Sequence, residues 1–292
     1  MSNILKIGTR GSELALKQAN IVKNLLLSKF LDLKIEIIII KTKGDKILNK
    51  SINKIGGKGV FVKEIEEALI DKEIDIAVHS LKDMPYDMPD SLKIGAFTER
   101  ESPIDIFISH QNKSFFDMPI GSKIGTGSLR RSIQLKRLRN DIEIVPIRGN
   151  INTRISKIGN EVDGVVLAEA GINRLELSEL ISYKFNIDEM VPAVCQGIIA
   201  VQIRKNDKIA ENYVSKINDN ESYICQKAER SFLKNIGADC NSPAGAYAYI
   251  NENNIVIKGV YYTNRVVFDE IFGDIRDAEF LGEILANNIM KK

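Results

Sequence analysis

Ile7-Gly8-Thr9-Arg10-Gly11-Ser12 opens the first helical segment of the chain, and Ile124-Gly125-Thr126-Gly127-Ser128 opens another in its middle. Both read as the end of a strand, a Gly-Thr turn, a serine cap and a helix. Such a helix start presents unpaired N–H groups and a partial positive charge, which suits an anion. One glycine-containing turn ahead of a helix is ordinarily only a turn. Two matching copies, each beside arginine, imply two similar lobes facing one anionic ligand across a cleft.

Outward from the first copy, Ile4 to Gly8 reads as a strand. Ser12 caps a helix to about Phe30, with Leu14, Ala15, Gln18, Ala19, Val22 and Leu26 at helical spacing. Lys34 to Thr42 is β-branched and apolar and reads as a buried strand. Gly44 to Gly59, with its glycines and lysines, reads as a mobile loop. A helix to about Asp71 and a strand from Ile74 to Val78 complete a βαβαβ order. That order implies a mainly parallel sheet with ligands at the carboxyl ends of its strands. The pattern restarts after Arg100. Strands are expected at Ile104 to Ile108, Lys123 to Gly125, Ile142 to Pro146 and Gly164 to Ala168, with helices at Leu129 to Arg139 and Asn150 to Ile158. Ile198 to Ile203 is a further strand, followed by a helix to about Ile217. From Glu221 onward, a helix, three strand-like stretches and a terminal helix from about Asp277 read as an α+β module.

The chain has 292 residues, long for one domain, so more than one is expected. A net charge of +2 argues against a bulk polyanion binder. The basic residues are unevenly divided, however: 28 lysines stand against 13 arginines, and six of the arginines fall within residues 130–154. These are Arg130, Arg131, Arg137, Arg139, Arg148 and Arg154, with Lys136 the one lysine among them. Arginine supplies a planar fork that grips carboxylate or phosphate and stays charged, which lysine does not. Arg137 and Arg139 read as the surface members of the group.

No apolar run approaches the length of a membrane helix, and Lys6, Arg10 and Glu13 interrupt any signal-like segment. Three sparse cysteines, Cys195, Cys225 and Cys240, point to free thiols in a reducing cytoplasm. His79 and His110 show no ligand spacing, so no metal site is expected.

Three segments carry candidate chemistry. His79-Ser80-Leu81-Lys82-Asp83-Met84-Pro85 follows a central strand, where a lysine and an aspartate can hold an anion and stabilise a cation; the plainer alternative is a local ion pair in a surface loop. Val191-Pro192-Ala193-Val194-Cys195-Gln196-Gly197 is small and apolar around one amide and reads as a hinge with a glutamine facing a ligand. Cys240 lies in a turn of Gly, Asn, Ser and Pro, either as a nucleophile or attachment point or as an unremarkable free thiol. Cys225 reads as a buried helical cysteine.

Taken together, these segments closely resemble the porphobilinogen deaminase (hydroxymethylbilane synthase) family. The matching stretches are Gly8-Thr9-Arg10-Gly11-Ser12, Gly56-Gly57-Lys58-Gly59-Val60-Phe61, Ala77 to Pro85, Gly125 to Arg131, Ile147-Arg148-Gly149-Asn150 and the Cys240 turn, in family order. The resemblance implies an α/β fold of three domains. Two are lobes like type II periplasmic binding proteins with mainly parallel sheets, 1–99 with 198–217 and 100–197. The third is a small α+β domain, 218–292, that carries the cysteine. It implies a dipyrromethane cofactor joined by a thioether to Cys240 and held by Ser80, Lys82, Asp83, Thr126, Ser128, Arg130 and Arg131. Arg10, Ser12, Arg148, Arg154 and Gln196 would serve incoming porphobilinogen, Asp83 would be the catalytic carboxylate, and Lys58 and Phe61 would belong to a lid. The implied reaction joins four porphobilinogen molecules head to tail with loss of ammonia and releases hydroxymethylbilane; a monomer without nucleic acid or membrane partners is expected. Departures from the family pattern are Ala238 and Asp239 where two glycines are common, Cys195 where glycine is frequent, and Gly127 where serine is frequent. A two-lobed module that binds a small anion without chemistry, or a nucleic-acid binder using the arginine window, are the competing classes.

Overall fold

The computed structural model describes residues 4–42, 62–239 and 242–292. Strand β1 (Ile4–Thr9), helix α1 (Glu13–Lys29), β2 (Lys34–Ile39), α2 (Lys63–Ile70), β3 (Ile76–Ser80) and β4 (Leu92–Phe97) come first. Then follow β5 (Asp105–Ser109), β6 (Lys123–Gly125), α3 (Leu129–Leu138), β7 (Glu143–Val145), α4 (Ile151–Ile155), β8 (Gly164–Ala168), α5 (Glu169–Arg174) and β9 (Tyr183–Lys184). The last stretch holds β10 (Ile199–Arg204), α6 (Lys208–Val214), α7 (Asn220–Asn235), β11 (Ala244–Asn251), β12 (Asn254–Tyr262), β13 (Val266–Asp274) and α8 (Ala278–Lys291). By contacts the chain forms two units, residues 1–100 with 198–223 and residues 101–197 with 224–292.

In the first unit the strand order is β2-β1-β3-β10-β4. β1 runs parallel to β2 and β3, while β10 is antiparallel to β3 and β4. Helix α1 starts where Ser12 caps it, its hydroxyl accepting from the Ala15 N–H at 3.3 Å. Glu13 in its first turn and Lys29 in its last both complement the helix dipole. Its buried stripe of Ala19, Val22 and Leu26 packs on Ile7, Ile76 and Val201. Each large side chain buried there contributes roughly 1.5–3 kcal/mol.

Two expectations change here. The segment read as a buried strand is an edge strand: β2 alternates exposed and half-buried residues, and Ile39 is 55% exposed. A β-branched run specifies an extended backbone but not a central position in the sheet. Strand β4 was not anticipated, because Lys93 and Gly95 interrupt its apolar pattern.

The second unit repeats the arrangement. Its order is β7-β6-β8-β5-β9, with β6 parallel to β7 and β8, and β5 antiparallel to β8 and β9. β6 therefore stands where β1 stands in the first sheet, and the two Gly-Thr turns leave equivalent strands. Phe107, Phe115 and Phe185, all fully buried, pack edge to face at one end of this core. The same unit includes an antiparallel β11-β12-β13 sheet backed by α8. Glu229 of α7 is fully buried and accepts from the Cys195 N–H at 2.5 Å and the Ala248 N–H at 2.8 Å, tying the 191–197 segment to β11.

Candidate functional site

The first unit supplies one set of the expected site residues. Thr9 is fully buried, its hydroxyl donating to the Ala15 carbonyl at 3.3 Å, which fixes the turn that carries Arg10 and Ser12. Ser80 ends β3 and pairs with Gln18 of α1 at 2.8 Å. A single 3-10 turn, Leu81–Asp83, then places Lys82 half-buried and Asp83 exposed, anchored by the buried Leu81. Pro85 ends this turn by holding Met84 extended, at φ −82° and ψ 134°. Beneath them, the buried His79 meets Gln202 at 3.1 Å, and Gln202 Nε2 donates to Glu66 at 2.8 Å. That second bond orients the amide, so its oxygen faces His79 and the ring donates from Nε2. Burial drives the imidazole down to about 4 against the opposing Gln202 hydrogen bond, and the Arg10 charge adds to the fall.

The second unit supplies the other set. Thr126 is buried and its hydroxyl accepts from the Ser128 N–H at 3.2 Å. Ser128 caps α3, accepting from the Arg131 N–H at 3.4 Å. A Cβ on Gly127 would lie 2.9 Å from the Ile147 carbonyl oxygen, so a side chain at this tight turn would have to displace the backbone. Arg130 and Arg131, 3% and 6% exposed, converge on Asp105 of β5, which is fully buried. Arg130 Nη1 donates to Asp105 Oδ2 at 2.7 Å and to the Val191 carbonyl at 2.7 Å. Arg131 Nη2 and Nε donate to Asp105 Oδ1 at 2.7 and 3.1 Å, and its Nη1 to the Val166 carbonyl at 3.0 Å. Gln196 Nε2 reaches the same Oδ1 at 3.0 Å and the Pro103 carbonyl at 2.7 Å.

This cluster has a definite electrostatic character. Burial alone would raise the Asp105 carboxyl; the charges and hydrogen bonds of both arginines overcome it and hold the group well below the ordinary carboxylate range. Burial lowers Arg130, with Asp105 opposing and the like charge of Arg131 adding. Two guanidinium groups share one carboxylate, so the cluster carries one surplus positive charge out of water. Arg130 Nε and Nη2 have no hydrogen-bond partner among the described residues. A buried cation with unspent donors fits a carboxylate-bearing ligand.

The remaining arginines of the window divide differently. Arg148 is exposed, and half-buried Arg154 donates from Nε to the Gly149 carbonyl at 2.8 Å, in a turn fixed by Asn150 capping Thr153. Arg137 stacks on the Phe268 ring at 4.4 Å and donates to the Asp188 and Glu189 carbonyls. Arg139 forks onto Asp141 and reaches the Phe115 and Met118 carbonyls. Both are fixed side chains rather than loose surface charges.

Sequence reasoning missed Asp105, although a charged residue opening the apolar strand DIFIS is a signal for a buried pair. It also missed Arg174, which lies outside the arginine window; its Nη2 donates to the Gly197 carbonyl at 2.6 Å. Cys195, one of the departures from the family pattern, is 1% exposed. Cys240, Lys58 and Phe61 lie outside the described residues. Beside Cys240, the Asp239 N–H donates to the Ser242 hydroxyl at 2.9 Å, and that hydroxyl donates to Asp239 Oδ1 at 2.9 Å.

Residues 5–212 match the family described as porphobilinogen deaminase, dipyromethane cofactor binding domain, and residues 223–291 match the porphobilinogen deaminase C-terminal domain. The chain is 46% identical to a porphobilinogen deaminase of Alkaliphilus metalliredigens (strain QYMF) over 292 residues, 99% of this chain and 92% of that one. It is 47% identical to one of Clostridium kluyveri (strain NBRC 12016) over 287 residues, 98% of each. Among solved structures it is similar to the methionine binding protein MetQ, with TM-score 0.47 and 16% identity over 76% of this chain and 93% of that one. It is also similar to immunogenic lipoprotein A from Vibrio vulnificus, with TM-score 0.46 and 16% identity over 75% and 96%.

Proposed function

The chain belongs to the porphobilinogen deaminase family, and from that premise we propose that it is a transferase of tetrapyrrole biosynthesis. It joins four porphobilinogen molecules head to tail, releases ammonia at each addition, and frees the product as hydroxymethylbilane with water. The observation that carries this reading is 46% identity to a named relative across 99% of the chain, with both family domains in order.

The chain carries the family's cofactor-binding domain, and its residues suit a dipyrromethane. When bound, that cofactor supplies the primer to which the first substrate is joined. Its pyrrole carboxylates match the surplus charge of the Arg130–Arg131–Asp105 cluster and the unspent Nε and Nη2 of Arg130, with Thr126 and Ser128 at the same turn. In the first unit Ser80, Lys82 and Asp83 are assigned to the cofactor as well. Attachment is assigned to Cys240 on the sequence match.

Arg10, Ser12, Arg148, Arg154 and Gln196 are assigned to the acetate and propionate groups of incoming porphobilinogen. Asp83 is assigned as the catalytic carboxylate. Loss of ammonia leaves positive charge on the pyrrole, and a fixed anion stabilises that charge as it develops. Its short turn, pinned by the buried Leu81, fixes the backbone that carries the carboxylate. Lys58 and Phe61 are assigned to a covering lid, and the three-domain division at residues 217 and 218 is retained as a proposal. We place the protein in the cytoplasm, supported by the sparse, odd cysteine count and by Cys195 and Cys225 being free thiols, and take it as a monomer on the family resemblance.

Intact mass tests the reading. Protein from cells that make porphobilinogen should carry an excess of two linked pyrroles, lost in Cys240→Ser. Asp83→Asn should keep the excess yet turn over on the order of a hundredfold more slowly. A folded wild-type protein of unmodified mass would instead leave a module that binds small anions without chemistry.

A further inference from the structure

Asp105 takes no part in the assignments above, yet it holds three of them. It is fully buried at the head of β5, and four donors converge on its two oxygens. Oδ2 accepts one from Arg130; Oδ1 accepts two from Arg131 and one from Gln196. These partners come from the helix start after β6 and from the segment before β10, so one side chain links two otherwise separate pieces of backbone. Each arginine also spends a donor on a main-chain carbonyl, Val191 for Arg130 and Val166 for Arg131. The contacts of Arg130 all fall on Nη1 and leave its Nε–Nη2 edge defined but unspent, while Arg131 is fixed from both sides, by Asp105 and by the Val166 carbonyl.

We propose that Asp105 is a positioning residue: it sets the planes of Arg130 and Arg131 and the Gln196 amide, and it cancels one of two buried positive charges, so that one carboxylate of the ligand is called for. This rests on the reading that Arg130 and Arg131 hold cofactor carboxylates. With no anion, two like charges would face each other out of water and the forks would part. With a second fixed anion, nothing would remain to attract a ligand. One aspartate between two arginines gives the intermediate state.

The test moves the carboxylate while keeping its charge. Asp105→Glu shifts it by one methylene, and displacement on that scale costs on the order of tenfold or more in a preorganised site. Expected are a cooperative melt close to wild type, a fraction carrying the two-pyrrole mass excess reduced about tenfold or more, and a raised KM for porphobilinogen with kcat little changed in the loaded fraction. Asp105→Asn, of equal size but neutral, should likewise lose the excess. If either variant melts normally and keeps full loading, the inference is overturned. If neither variant melts cooperatively, the carboxylate serves folding alone and the inference is overturned equally. Arg130→Lys distinguishes the underlying reading: if it loads fully, that reading fails. If it loses loading while Asp105→Glu keeps it, only the positioning role fails.

Discussion

Cys195 adopts φ 61° between Val194 and Gln196, a left-handed backbone that costs a non-glycine residue on the order of 1 kcal/mol or more. Its N–H is nevertheless committed to Glu229, and the side chain is 1% exposed, so the conformation is enforced from outside. A β-branched side chain suits this backbone least. Cys195→Val should therefore melt lower than Cys195→Gly by the equivalent of about 2–3 kcal/mol, read by thermal circular dichroism. Equal melting temperatures would refute the strained backbone. Asp105 shows where reading at this scale stops. Its charge in an apolar strand is visible in the sequence, but its partners stand 25, 26 and 91 residues away. Residue types singled out the arginines; only the fold showed which anion two of them share.

Elements with local signals were legible. Ser12 and Ser128 cap their helices as read, Gly164–Ala168 is the strand expected, and the repeated turn leaves equivalent strands of two like sheets. What failed depends on neighbours: the edge position of β2, and β4, which takes its place by pairing with β10. Packing between elements makes its own predictions. Gly282 brings α8 against α7, and a Cβ there would lie 2.2 Å from the Ala228 carbonyl oxygen. Gly282→Ala must push the helices apart and should cost about 2–3 kcal/mol in denaturant unfolding, more than its helix propensity returns. An unchanged midpoint would place the helices farther apart. The β3–β10–α2 network of His79, Gln202 and Glu66 sets an acid response. Between its ordinary 6.5 and about 4, the unfolded chain protonates His79 while the folded chain does not. Stability therefore falls as pH drops through that window, by at most ~3 kcal/mol. Burial raises the Glu66 carboxyl against its Gln202 hydrogen bond, so Glu66 acts in the opposite sense and offsets part of the loss. His79→Gln should flatten the melting profile across the window; a slope equal to wild type would assign the acid response to other groups.

For the whole molecule, the net charge of +2 and the dense arginine window point to opposite partners. Their placement resolves the contrast. Arg130 and Arg131 are buried on Asp105, Arg137 is committed to carbonyls and a Phe268 ring, and Arg139 to Asp141 and further carbonyls. Four of six window arginines are thus fixed within their own unit and do not form a tracking surface for a nucleic-acid backbone. Long-range attraction of an anionic substrate should then be weak, and recognition should rest on a few held donors. Salt separates these cases, because it screens exposed charges over a Debye length of about 10 Å at 0.1 M but reaches buried pairs far less. The KM for porphobilinogen should rise by less than about threefold between roughly 0.05 and 0.5 M sodium chloride. A groove neutralising several phosphates would lose on the order of a thousandfold or more over a narrower range. Duplex DNA and single-stranded RNA should likewise fail to shift at about 0.1 M salt. A steep salt dependence of KM would transfer substrate recognition from the held arginines to exposed Arg148 and the surface lysines, and its slope would count how many of them take part.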